Sequence, residues 1–185
     1  MNNVKADYFY GVYPSNIHGN LVLVDPLLPP VKCPLSCAIC PLPNTRINLD
    51  ELKTGLSTPI HSVLTSIEKY LPTGIKIDGL LLWGSGDPLL ISNIYELLIA
   101  LRAFLNKHSL QGKLYVHTSL IPLVKACYVD KEGFVEKPEC ILMKSLIEHA
   151  DGFILPFLWY DVEKYMFGWP RGTSFNSYVS TCLLY

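Results

Sequence analysis

Gly79-Leu80-Leu81-Leu82-Trp83-Gly84-Ser85-Gly86-Asp87 is the stretch that decides how this chain folds. Its opening is a short continuous apolar run, the pattern of a strand buried on both faces of a parallel sheet. Two glycines and an acid follow at once, so the run ends in a turn where backbone can approach a ligand closely. Working outward, Asn20-Leu21-Val22-Leu23-Val24 reads as an earlier strand, Lys113 to Ser119 as a later one, and Gly152-Phe153-Ile154-Leu155-Pro156-Phe157 as the last. Helical spacings lie between them. Ile60, Val63, Leu64, Ile67 and Leu71 share one face of a helix that opens at Ser57-Thr58-Pro59 and stops at Pro72-Thr73-Gly74. Ile94, Leu97, Leu98, Leu101 and Leu105 face inward on a second helix, Asn93 to Lys107, and Glu139 to His149 forms a third.

The order βαβαβαβ predicts an α/β fold of parallel strands joined by right-handed crossovers. All the carboxyl ends then meet on one edge of the sheet, where the chemistry of such folds sits. With 50% hydrophobic and 17% charged residues over 185 positions, the chain can bury a core as a single domain, 1–185, and is not of the disordered class. Fifteen basic and sixteen acidic residues give a formal net charge of -1, so no broad field draws it to nucleic acid or anionic lipid. The first residues, Met1 to Asp7, lack the apolar stretch of a signal peptide, and no run approaches the ~18 apolar residues of a spanning helix. A soluble cytoplasmic protein with no membrane partner is expected.

Three of the six cysteines fall within eight residues, Cys33-Pro34-Leu35-Ser36-Cys37-Ala38-Ile39-Cys40, which points to metal rather than to disulfides. Spacing of i, i+4, i+7 also fits the inner face of a helix, but Pro34, Pro41 and Pro43 oppose that reading. Structural zinc would need a fourth ligand, and His18 and His61 lie well outside the loop. Thiolates are the ligands of iron–sulfur clusters. Three of them on a four-iron cubane leave one iron open to a substrate or cofactor.

The CxxxCxxC loop after a first strand resembles the signature of the radical S-adenosylmethionine (radical SAM) superfamily. The resemblance implies that Cys33, Cys37 and Cys40 hold a [4Fe-4S] cluster and that S-adenosylmethionine chelates the fourth iron. Ile39 stands where the family usually has an aromatic residue near the adenine. Gly84-Ser85-Gly86-Asp87-Pro88 is similar to the family's GGEP motif, with Ser85 between the glycines and Asp87 in place of glutamate, one methylene shorter. By that likeness Gly84, Ser85, Gly86 and Asp87 would contact the methionine amino group, and Thr118 and Ser119 would lie near the cofactor's carboxylate or ribose. A strand end at solvent would be polar in any case.

The implied fold is a partial parallel barrel of the radical SAM type, with about four βα units present. The implied activity is reductive cleavage of S-adenosylmethionine to a 5′-deoxyadenosyl radical, which abstracts a hydrogen from a substrate. An electron donor such as ferredoxin or flavodoxin is then required, and the substrate, whether small molecule, RNA or protein, is not specified. The alternative is a noncatalytic metal-binding module, a structural zinc or electron-transfer iron–sulfur site. Four strands are fewer than the family's barrel uses, and Phe175 to Tyr185 starts like a further crossover helix. The expectation is therefore a domain incomplete at its C-terminus or one needing a completing subunit.

Other features read more blandly. His117 is expected as a satisfied strand-end histidine rather than a base. Cys127, Cys140 and Cys182 hint at an auxiliary cluster, but their wide spacing favours the reading as ordinary buried residues. Tyr165 to Arg171 reads as aromatics packing a loop, with stacking on a ligand as the sharper alternative.

Overall fold

A computed structural model describes residues 7–28, 56–108, 110, 112–119 and 148–154. Within these residues the chain forms a five-stranded sheet and two helices in the order β1 (Phe9–Ser15), β2 (Gly19–Val24), α1 (Ile60–Tyr70), β3 (Gly79–Leu82), α2 (Ile94–Lys107), β4 (Lys113–His117) and β5 (Gly152–Ile154). Strand order in space follows order in the chain, β1-β2-β3-β4-β5. From β2 to β5 every pairing is parallel, with Val22 opposite Leu80, Leu80 opposite Leu114 and Val116 opposite Phe153. The sheet is nevertheless mixed. β1 pairs with β2 antiparallel, which corrects the all-parallel sheet expected from the sequence.

The register of β1 shifts between Phe9 and Gly11, where Gly11 takes φ +130°, a backbone conformation natural to glycine. Pro14 is tolerated because β1 lies at the edge of the sheet, where an absent N–H breaks no interior ladder. Ser66 of α1 fastens this strand by accepting the Phe9 N–H at 3.0 Å and donating its hydroxyl to Asp7. That hydroxyl holds the Asp7 carboxyl below its ordinary range, against the opposing effect of burial.

Both helices lie on one face of the sheet. Val22, Val24, Leu80, Leu82, Leu114 and Val116 share a core with Val63 and Ile67 of α1 and Leu97, Leu98, Leu101 and Leu105 of α2. The alternate residues Leu21, Leu81 and Tyr115 point to the other face and form a second cluster with Leu23 and Ile154. All four residues of β3 are buried, which is why its sequence shows a continuous apolar run rather than alternation. Sequential order with helices on one face means that each crossover advances the chain one strand in the same direction.

The boundaries of α1 and α2 agree with the sequence reading. Pro59 stands at the N-cap of α1, where its missing N–H costs nothing, and Asn93 stands at the N-cap position of α2 with its side chain turned to Thr58. The expected third helix, Glu139 to His149, falls mainly outside the described residues, and so do Leu155 to Phe157 of the last strand.

Candidate functional site at the carboxyl edge

Because β2, β3 and β4 are adjacent and parallel, the residues after Val24, Leu82 and His117 come together at one edge. Two carboxylates are buried there. Asp25, directly after β2, has 0% exposure, and Asp87, in the loop after β3, has 7%. A buried carboxylate is costly unless its lone pairs are occupied, and both are occupied by donors from the chain itself.

Asp25 accepts the Ser85 N–H at 2.9 Å and the Ser85 hydroxyl at 2.5 Å on Oδ2, and the Leu27 N–H at 3.0 Å on Oδ1. Gly84 lies against it with φ +154°, and a Cβ at this position would fall 2.1 Å from the Asp25 Cγ. Glycine is thus required by a close approach as well as by the turn. Asp87 accepts the Leu89 N–H at 3.0 Å and the Thr118 hydroxyl at 2.7 Å on Oδ1, and the Ser119 N–H at 2.8 Å and hydroxyl at 2.6 Å on Oδ2. The bond from Leu89 caps a short 3-10 turn, Pro88–Leu90, that leads toward α2.

Four of the sequence-predicted site residues are therefore seen in contact with one another or with Asp25: Ser85 bonds Asp25, and Asp87 bonds Thr118 and Ser119. The Asp87 carboxylate, with about four lone-pair positions, is filled by these four donors. Among the described residues neither carboxylate pairs with a cation. His117, at the end of β4, is pushed below its ordinary value near 6.5 by burial, and the Asp87 charge opposes this only in part. Trp83, half-exposed at the end of β3, meets Tyr10 of β1 edge to face at 6.2 Å between ring centroids.

Ile39, Cys33, Cys37 and Cys40 lie outside the described residues, as do Cys127, Cys140, Cys182 and the Tyr165–Arg171 cluster. Among the described residues no group of histidine, cysteine and acidic side chains could hold a metal ion. The flanks of the cysteine segment are well fixed. Leu27 is bonded to Asp25, and on the return the Thr58 hydroxyl bonds the Pro26 carbonyl at 2.6 Å, while Leu56 bridges Ile91 in parallel fashion. Thr58 is held in turn by Asn93, whose side chain accepts its N–H at 2.9 Å and donates to its carbonyl at 2.8 Å.

Asp25, Thr58 and Asn93 were not legible as site residues. Only Asp25 carried a signal, an acid placed directly after an apolar strand.

Comparison with known proteins adds no assignment: no family model matches the chain, and no curated protein and no solved structure matches it. No helix among the described residues is long and apolar enough to cross a membrane.

Proposed function

We propose that this chain is a radical SAM protein, with a [4Fe-4S] cluster on Cys33, Cys37 and Cys40 and S-adenosylmethionine against the Gly84–Asp87 loop. One observation carries the reading. The CxxxCxxC segment departs from the carboxyl end of β2, and the glycine loop ends β3, its parallel neighbour. Cys33 is five positions after Leu28, so covalent geometry keeps it within about 18 Å of that residue whatever path the chain takes. The donor set suits the group, since three thiolates are the natural ligands of an iron–sulfur cubane with one open iron. The one-directional winding of the parallel strands also supports a barrel segment, because a doubly wound sheet would reverse its strand order.

When bound, the reduced cluster supplies the electron that splits S-adenosylmethionine into methionine and a 5′-deoxyadenosyl radical. The chain's own residues bind, orient and shield. Asp87 serves this site by fixing the loop to β4, and its charge favours a cationic group above the edge even though its lone pairs are engaged. Ser85 and Gly84, held against Asp25, present backbone at close range, and Trp83 offers an apolar wall beside them.

The test is incubation of anaerobically reconstituted protein with S-adenosylmethionine and dithionite, followed by detection of 5′-deoxyadenosine, which requires no knowledge of the substrate. Formation of 5′-deoxyadenosine that is lost on replacing any one of Cys33, Cys37 or Cys40 by alanine is expected. A bound zinc, or a cluster whose spectrum ignores S-adenosylmethionine, would establish the noncatalytic module instead.

A further inference from the structure

We propose that Asp25 is a positioning residue that ties the glycine loop to Leu27, on the stretch of chain that leads toward the cysteines. The inference rests on the function proposed above and names a residue that no family motif in this sequence includes. Its basis is geometric. One oxygen of Asp25 holds Ser85 by both N–H and hydroxyl, and the other holds the N–H of Leu27, two residues before the chain enters the segment that carries the cysteines. Asp25 thus reaches a partner 60 positions along the chain while holding its near neighbour Leu27.

Among the described residues no other group is bonded to the carboxylate. It has 0% exposure, its own N–H is bonded to the Tyr8 carbonyl, and Gly84 closes over it where any Cβ would collide. A buried acceptor with three donors and no solvent has a single favourable arrangement, so a shift of the glycine loop is transmitted to Leu27 and the reverse. Thr58 completes the fixture by bonding the carbonyl of Pro26, the residue between. The glycine loop and the Pro26–Leu27 turn are therefore held to one another at the sheet edge. A cofactor lying against the glycine loop would need the position of that loop fixed before it binds.

The experiment uses Asp25→Asn and Ser85→Ala in the full chain. Asparagine keeps the shape but offers an acceptor to one side only, so either Ser85 or Leu27 meets an N–H in place of an oxygen. Amide hydrogen exchange in Asp25→Asn should rise about tenfold or more at one of these two amides, with Leu80 and Val116 unchanged. Ser85→Ala keeps the backbone bond and removes only the hydroxyl, and exchange at Leu27 should still rise. In reconstituted Asp25→Asn, iron content should match the parent, whereas the S-adenosylmethionine concentration that half-shifts the reduced cluster's electron paramagnetic resonance signal should rise about tenfold.

A residue that only stabilised the fold would lower the loaded fraction without moving that midpoint. Unchanged exchange at both amides, or an unmoved midpoint in the loaded variant, overturns the proposal. A parent protein that takes up no cluster refutes the radical SAM reading alone, and the exchange at Leu27 in Ser85→Ala then decides the linkage by itself.

Discussion

Replacing Asp87 by alanine should destabilise the whole domain, and the size of the loss follows from its four bonds. The two hydroxyls of Thr118 and Ser119 can rotate in search of other acceptors. The backbone N–H groups of Leu89 and Ser119 cannot, and both were bonded to the carboxylate. A buried donor left without an acceptor costs about 1–3 kcal/mol, so two of them with a modest loss from the hydroxyls amount to about 3–5 kcal/mol. Against a total stability of about 5–15 kcal/mol for an ordinary domain, this is a large share.

Asparagine gives the informative intermediate. It retains one acceptor oxygen and turns an amide N–H toward one of the two backbone donors, so a cost of about 1–3 kcal/mol is expected. Urea denaturation followed by circular dichroism measures both. With a slope of about 2 kcal/mol per molar, the alanine variant should melt about 1.5–2.5 M earlier than the parent, and the asparagine variant between them. An alanine variant within about 0.5 kcal/mol of the parent would refute the reasoning, because surface substitutions alone cost that little. A test of S-adenosylmethionine binding in these variants must be read on the folded fraction, since Asp87 joins the loop after β3 to the end of β4.

Gly84→Ala should cost about 2 kcal/mol or more, because a Cβ would meet Asp25 Cγ at 2.1 Å in a backbone conformation that side chains rarely adopt; the same urea titration measures it. Leu101→Ala, at a fully buried position between α2 and the sheet, should cost about 2–5 kcal/mol with no change in secondary-structure signature. His117 should titrate below 6.5 by nuclear magnetic resonance; since the unfolded chain then binds the proton more readily, stability is full above pH 6.5 and falls as pH drops toward the folded value, and His117→Gln should flatten that dependence. Burial raises the Asp151 carboxyl, but the Leu114 N–H and Arg102 outweigh it and leave the pKa below the ordinary 3.8, so its stabilisation is present above pH 3.8 and lost below, a limb that Asp151→Asn should flatten.

The parallel strands and two helices were legible because burial writes a period into the sequence. Val22 and Val24 alternate with Leu21 and Leu23 between the two faces, and the spacing from Ile94 to Leu105 repeats at helical period. β1 was not legible. Gly11 and Pro14 interrupt its pattern, and both are admissible only because the strand is bulged and lies at an edge, facts fixed by its neighbours and not by its own residues. The cysteine spacing and glycine turn could be read locally, whereas the partners of Asp25 and Asp87 sit 60 and 32 positions away along the chain. No local pattern encodes a partner at that distance.

The two carboxylates also change how the glycine motif should be understood. Read from sequence, an acid beside two glycines invites a direct charge pair with a ligand's ammonium group. In the fold, each acid has first to satisfy the edge on which it sits. The parallel ladders end with the N–H bonds of Trp83 to Val24 and of Thr118 to Ile154, and the loops beyond carry N–H groups that would otherwise be buried without acceptors. Asp25 answers for the β2–β3 gap and Asp87 for the β3–β4 gap, so the Ser85–Asp87 turn is gripped from both sides. Under the proposed function, a ligand arriving there would meet a surface whose polar groups are already oriented and whose glycine backbone is open to close approach. Affinity at that site would fall when the edge loosens, whichever carboxylate is removed, which is why stability and ligand binding must be measured on the same variants.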